Sequence, residues 1–417
     1  MEYCNFCGRS EKEVGPMYYG LKGCICKECA DLLYDVLAEY KYKYKEFDVS
    51  AEDVVDAEPT DEKLIIPKPM EIKKYLDDYV IGQDDAKETL SVAVYNHYKR
   101  INYNIEHNIN PNNKPNDALV LDKSNILLIG PTGSGKTYIV RMIAKLLDVP
   151  FTIVDATSFT ESGYVGEDVE SILSRLLMEC DYDTKKAERG IVFIDEVDKL
   201  KKSSAGASVT KDVNGSGVQQ AMLKLLEGSK VMVPPQGGRK HPEMPMIEVD
   251  TTNILFICGG AFVGLDKIVE KRTKASSKVS VGFVHNDNDV VVDKNKKVTP
   301  DDVKKFGMIP EFVGRVPVIT QVNKLDKHAL IRILTEPKNN IVDQYKEMLK
   351  IDGINLTFDP KVYELIASQA DKYGLGARGL KGIMETIMRH PMYELPSKNV
   401  KNYKMTLKKA KEYLEAV

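Results

Sequence analysis

Neither sign of charge prevails in this sequence: 59 lysine and arginine residues stand against 62 aspartate and glutamate residues in 417 positions. No global field therefore draws the chain to nucleic acid or to an anionic membrane, and any such binding has to be local. Long apolar runs are missing as well. No stretch approaches the ~18 uninterrupted apolar residues that crossing a bilayer requires. The opening Met1-Glu2-Tyr3-Cys4 lacks the apolar region of an export signal. Cysteine is scarce beyond the first thirty positions, five of the seven preceding Ala30. That clustering argues against a disulfide framework and for a metal site in a reducing compartment, so a cytoplasmic location is expected. No internal repeat is visible, and no nucleophile constellation suited to proteolysis.

At roughly 150 residues per domain the length suits two to four domains, each with its own core. Residues 1–47 form a cysteine-rich head closed by a helix over Ala30 to Tyr40, where Leu33, Val36, Leu37 and Tyr40 repeat at helical spacing. Residues 48–63 read as an acidic linker: Asp48 to Glu62 hold seven carboxylates and no basic residue. From residue 64 to 318, short runs rich in Ile and Val alternate with helical patterns: Asn125 to Ile129, Phe151 to Val154, Gly190 to Ile194 and Asn253 to Ile257. This is the signature of an α/β fold, a parallel sheet covered by helices on both faces. Residues 319–417 turn mainly helical, with Lys327 to Lys350 the longest expected stretch, a strand-like run at Leu356 to Phe358, and the size of a small lid domain. Lys201 to Gly217 and Gly264 to Val298 read as long polar loops.

Gly130-Pro-Thr-Gly-Ser-Gly-Lys136-Thr137 directly follows the apolar run Ile126 to Ile129 and opens a helix, the context a phosphate-binding loop requires. Its glycines let backbone N–H groups point into one concavity beside a helix N-terminus. Lys136 is expected to reach the β- and γ-phosphates of ATP, and the Thr137 hydroxyl to ligate Mg²⁺. The candidate nucleotide contacts are Gly130, Pro131, Thr132, Gly133, Ser134, Gly135, Lys136, Thr137 and Tyr138. About 60 residues on, Asp195 and Glu196 stand at the C-terminal end of a buried run, Asp195 suited to the Mg²⁺ shell and Glu196 to polarising the attacking water. Arg315 follows a Pro-Glu-Phe turn and Arg378 sits in Gly374-Leu-Gly-Ala-Arg-Gly379. Either guanidinium could neutralise charge on a transferring phosphoryl group, and either could equally serve a surface ion pair.

Cys4-Asn-Phe-Cys7 and Cys26-Lys-Glu-Cys29, eighteen residues apart, supply four thiolates as two knuckles, which suits a closed, structural Zn²⁺ site. A head of about 45 residues needs such a staple. Cys24 competes as a ligand, but its use would break the second knuckle. Cys180 and Cys258 are expected as core thiols. The head has few basic residues, and Asp31, Asp35 and Glu39 lie on its helix, so nucleic-acid binding is not expected.

Over nearly its whole length the chain resembles the AAA+ unfoldases of the ClpX type, which feed a ClpP-type peptidase. Beside the two ATPase motifs the resemblance rests on Asp78-Tyr-Val-Ile-Gly-Gln83, Val94-Tyr-Asn-His-Tyr-Lys-Arg100, Gly163-Tyr-Val-Gly166, Gly217-Val-Gln-Gln220, Arg239-Lys-His241, Ile309 to Arg315 and Gly376-Ala-Arg-Gly379. It implies that Val80 and Ile81 flank the adenine. It also implies that Arg315 reaches into a neighbouring subunit's site as an arginine finger within a homohexamer, and that Arg378 senses the γ-phosphate. Tyr164 and Val165 match a pore loop that grips translocating polypeptide, and Arg239, Lys240 and His241 match a basic loop at the pore entrance. Val281, Gly282 and Phe283 match the tripeptide that docks on ClpP, with Val where relatives carry Ile or Leu. The second pore loop departs from the pattern, with Lys211 and Ser216 where Arg and Glu are common. The resemblance further implies a zinc domain that dimerises and recruits substrates and adaptors. The implied activity is ATP-driven unfolding and threading of proteins, including chaperone action. A disassembly chaperone without a peptidase and a nucleic-acid-remodelling ATPase are the rivals.

Overall fold

The computed structural model describes residues 4, 6–10, 14, 17–20, 23–31, 63–107, 109, 119–160, 167–201, 215–234, 246–278, 297–398 and 400–415. Tyr164, Val165, Lys211, Arg239, Lys240, His241, Val281, Gly282 and Phe283 lie outside these residues, as does most of the helix expected over Ala30 to Tyr40. The chain separates into two compact units, Met1–Glu62 and Lys63–Val417. In the first unit, β1 (Met17–Gly20) and β2 (Gly23–Cys26) pair as an antiparallel hairpin, with Met17 opposite Cys26. Among its described residues the buried apolar cluster is Cys4, Met17, Cys26 and Cys29.

The second unit is built on a five-stranded parallel sheet. Its strands are β3 (Ile126–Ile129), β4 (Phe151–Asp155), β5 (Ile191–Asp195), β8 (Leu255–Gly260) and β9 (Val318–Gln321), in the order β4-β5-β8-β3-β9. Successive side chains of a strand point to opposite faces, and the core divides accordingly. Leu127, Ile129, Val192, Ile194, Phe256 and Cys258 belong to one cluster, while Ile126, Leu128, Ile191, Phe193, Leu255 and Ile257 belong to the other. A sheet covered on both faces explains why these strands read as unbroken apolar runs rather than as alternation. An antiparallel pair, β6 (Lys230–Val233) with β7 (Ile247–Asp250), stands apart from the sheet.

The boundary expected between residues 318 and 319 falls inside β9, the edge strand beside β3. Beyond it a third cluster gathers Leu330, Leu334, Leu349, Ile366, Leu380, Met384, Ile387 and Met405, among others. Here β10 (Asn355–Phe358) pairs in parallel with β11 (Asn402–Met405). The continuous stretch expected from Lys327 to Lys350 is two helices, Lys327–Thr335 and Ile341–Ile351, and the longest helix after β9 is instead Ala377–Glu394. Pro337 has no N–H to continue the first helix. Asn340 then starts the second, accepting from the Asp343 N–H at 2.8 Å and donating to the Thr335 and Pro337 carbonyls at 3.1 Å. Part of the loop expected over Gly264 to Val298 is also ordered, as the helix Leu265–Lys278. Among the described residues no helix is long and apolar enough to cross a membrane.

Candidate functional site

The phosphate loop runs from the end of β3 into the helix Lys136–Leu147. Gly133 and Gly135 take left-handed backbone (φ 77° and 96°), which turns successive N–H groups to one side at little cost for glycine. Lys136 is 7% exposed, and its Nζ donates to the carbonyls of Gly130 at 2.6 Å and Pro131 at 3.1 Å. The Thr137 hydroxyl donates to Asp195 Oδ2 at 3.2 Å, joining the loop to the end of β5, while Asp195 Oδ1 accepts from the Glu196 N–H at 2.9 Å. Glu196 itself is exposed and sits in the left-handed region with φ 58°. That conformation costs a non-glycine residue about 1–2 kcal/mol, a strain of the kind that collects at functional sites.

Burial lowers the pKa of the Lys136 ammonium, and the Arg378 charge adds to the effect. Asp195, Asp198 and Glu196 oppose both. All five charges therefore act within one site. Asp198, 5% exposed, braces it by accepting from the Ala261 N–H at 3.0 Å. Val80 and Ile81 lie buried in the turn between the helices Pro69–Tyr79 and Asp84–Glu106, while Tyr138 is half-exposed. The small domain closes on the loop's apex. The Ala377 N–H, at the start of the helix carrying Arg378, donates to the Gly133 carbonyl at 3.1 Å. A Cβ on Gly133 would collide with the Leu375 carbonyl, and one on Gly376 would stand 2.9 Å from the Gly133 oxygen. Glycine on both sides is what permits this approach.

Arg315 is placed elsewhere. It ends the helix Pro310–Arg315 just before β9, and its carbonyl accepts from the buried Asn125 amide at 2.9 Å, at the N-terminal end of β3. The phosphate loop leaves the opposite end of that strand, roughly 15 Å away at about 3.3 Å per residue. The Arg315 guanidinium is paired with Glu227 at 2.8 Å. Glu227 ends the helix Ser216–Glu227, whose first residue is Ser216 and whose fully buried Gln219 donates to the Leu200 carbonyl at 2.6 Å and accepts from the Ile309 N–H at 2.9 Å. One helix thus touches both the segment after Glu196 and the segment that carries Arg315. Asp198 and Glu227 carry no local signature in the sequence that would mark them as site residues, whereas Gln219 lies in the motif Gly217-Val-Gln-Gln220.

In the first unit the sulfurs of Cys4, Cys7, Cys26 and Cys29 all lie within 4.8 Å of one another, with Cys7 and Cys26 at 3.8 Å. Tetrahedral Zn–S bonds of about 2.3 Å place their sulfurs about 3.8 Å apart, so the donor set fits zinc. Burial works against the Cys4 thiolate, but backbone N–H groups of Cys26, Cys7 and Phe6 outweigh it and bring its pKa to about 6. The Cys26 and Phe6 N–H groups lie 3.3 and 3.4 Å from that sulfur. Arg9, ion-paired with Glu28 at 2.7 Å, holds the Cys7 thiol below its ordinary value through its backbone and side chain. Cys24 stays outside the cluster, on β2.

A phosphate loop on β3, a carboxylate pair on the strand one removed, a helical lid carrying an arginine and a parallel sheet between them define an AAA+ ATPase, here with a four-cysteine zinc centre. Comparison with known proteins agrees. Family models match the ClpX C4-type zinc finger over residues 2–39, the AAA domain (Cdc48 subfamily) over 121–319 and the C-terminal, D2-small domain of ClpB protein over 325–407. The ATP-dependent Clp protease ATP-binding subunit ClpX of Bacteroides thetaiotaomicron is 52% identical over 416 residues, covering 99% of this chain and 95% of its own. Those of Porphyromonas gingivalis and Treponema denticola are each 48% identical, over 100% and 94% of this chain and 96% and 90% of theirs. The chain belongs to the ClpX family. It is an ATPase whose cofactors are ATP with Mg²⁺, and Zn²⁺.

Proposed function

We propose that this ATPase unfolds proteins and threads them through the pore of a homohexamer into a ClpP-type peptidase. The observation that carries the catalytic half is the junction of Thr137 with Asp195 beside a strained, solvent-facing Glu196. Lys136 and the loop N–H groups hold the β- and γ-phosphates. Thr137 and Asp195 hold Mg²⁺, which when bound neutralises charge on those phosphates. Glu196, turned outward by its backbone, orients a water and takes its proton. Val80 and Ile81 flank the base. Arg378, on the lid, meets the γ-phosphate end of the site. Arg315 lies a strand length from its own loop, which supports its acting on a neighbouring subunit's nucleotide.

The mechanical half rests on the family resemblance and on residue chemistry. Tyr164 and Val165 offer a broad apolar grip between flanking glycines, and Arg239, Lys240 and His241 attract a substrate's carboxylates. Val281, Gly282 and Phe283 dock on the peptidase. Cys4, Cys7, Cys26 and Cys29 fold the head around zinc, and the head dimerises and receives substrates and adaptors. The site of action is the cytoplasm.

Purified protein mixed with a ClpP-type peptidase should degrade a stably folded, tagged substrate only when ATP is supplied. Glu196→Gln should bind ATP but lose 100-fold or more in kcat. Hydrolysis at the unmodified rate would remove Glu196 from the mechanism. The Val in place of Ile at position 281 favours a second reading, a chaperone acting without the peptidase, because it removes about 0.8 kcal/mol of buried contact per loop. Deleting Val281 to Phe283 separates the two: association that is lost on deletion supports docking through this loop, whereas an intact protein that does not associate with the peptidase, and is unchanged by the deletion, favours the chaperone.

A further inference from the structure

The turn that carries Val80 and Ile81 is tied by hydrogen bonds with Asn323, Lys87 and Lys338. Gly82 and Gln83 are both left-handed (φ 65° and 62°), and Gln83, a non-glycine residue, is 8% exposed. Its carboxamide closes two hydrogen bonds on one residue 240 positions away: Nε2 donates to the Asn323 carbonyl at 2.8 Å, and Oε1 accepts from the Asn323 N–H at 2.7 Å. The carboxamide thereby stands in for a neighbouring strand. From below, the buried Lys87 ammonium donates to the Val80 carbonyl at 2.6 Å and to Asp77 at 2.7 Å. At the start of the turn the Lys338 N–H donates to the Asp78 carbonyl at 2.7 Å.

Asn323 occupies a special place in the chain. Val322 before it, one residue past β9, still bonds to the sheet, donating to the Ile129 carbonyl at 2.8 Å, immediately under the phosphate loop. After it the backbone leaves the sheet for the helix Lys327–Thr335 of the small domain. Gln83 therefore grips the residue that follows the last hydrogen bond to β3.

We propose that Gln83 is a positioning residue whose carboxamide couples the base pocket to this hinge through the backbone of Asn323. The proposal rests on the reading that Val80 and Ile81 flank the base. Backbone strain at Gln83 is retained because the left-handed turn is what aims the carboxamide at Asn323. Coupling of this kind is reciprocal: whatever ADP does to the hinge, the hinge does to ADP affinity.

The test uses the full-length chain and unlabelled ADP, reading ADP affinity by calorimetry and hydrogen exchange across residues 322–335. In the unmodified protein, saturating ADP should slow exchange in this segment. Gln83→Met keeps volume and removes both hydrogen bonds. It should weaken ADP about tenfold, and at saturating ADP the hinge protection should be lost. A purely structural role would lower stability yet leave that protection intact once the site is filled, and intact protection overturns the proposal. Should Gln83→Met fail to fold, Gln83→Glu gives a second readout. Its carboxylate faces the Asn323 carbonyl unfavourably at pH 8, whereas a protonated carboxyl restores the donor. ADP affinity should then recover as pH falls toward 5, relative to the unmodified protein, and a parallel pH profile overturns the proposal. Ile81→Ala separates this from the underlying reading. It should weaken ADP while sparing hinge protection at saturation, and an unchanged ADP affinity would remove the base-pocket reading itself.

Discussion

The two units hold themselves together by different means. Among the described residues of Met1–Glu62 the buried apolar cluster is three of the zinc-set cysteines and Met17, too little by itself to offset the conformational entropy of ordering them. In Lys63–Val417 a parallel sheet is sandwiched between two apolar layers, and a third cluster fills the small domain. The first unit draws its folding free energy from metal ligation and the second from removing apolar surface from water. Every described residue proposed for the nucleotide site lies in the second unit.

Removing zinc should have the largest effect and should stay local. Structural zinc contributes about 10–16 kcal/mol in small metal-dependent domains. A zinc-selective chelator in excess Mg²⁺, or Cys4→Ser, should therefore unfold the head, seen as lost chemical-shift dispersion for residues before 31, while basal ATP hydrolysis persists. Loss of ATPase on chelation would break the division between the units. Phe193→Ala makes the complementary test. Phe193 is fully buried on β5, and truncation should cost about 3–5 kcal/mol. That lowers the melting temperature of the second unit without changing zinc stoichiometry.

The smallest effect sharpens the comparison by pH. Lys123 packs over the Phe256 ring at 4.7 Å and donates to the Thr251 carbonyl at 2.8 Å. Burial, reinforced by Arg100, brings its pKa down to about 7. An unfolded lysine titrates near 10.4. Between about pH 7 and 10 unfolding therefore takes up a proton, and this residue makes the second unit more stable as pH rises through that window. The thermal transition should climb accordingly, less steeply in Lys123→Met. Equal slopes in both proteins would count against the assignment.

Much of this was legible in the sequence wherever a signal is local. The phosphate loop, the four cysteines and the apolar runs of β3, β4, β5 and β8 lie close to their observed positions, because short motifs and two-sided burial leave their mark on neighbouring residues. What escaped depends on distant partners. The β10–β11 pairing, the Glu227–Arg315 ion pair and the carboxamide bridge from Gln83 to Asn323 join segments that no periodicity connects. The break at Pro337 was visible as a residue but outweighed by the apolar spacing on either side. The expected boundary between 318 and 319 falls inside β9, Val318–Gln321, because a strand at a sheet edge carries a weaker apolar signal than a central one.

The second unit has only two cysteines, and both are chemically quiet. Cys258 lies fully buried on β8 with its thiol pushed up to about 12, and Cys180 bonds the Leu176 carbonyl at 3.0 Å with its own raised to about 11. Since the thiolate is the reactive species, neither competes for alkylating reagents near neutral pH. A cysteine engineered at an exposed position such as Tyr373 could then carry a fluorophore or spin label without first stripping the native thiols from this unit.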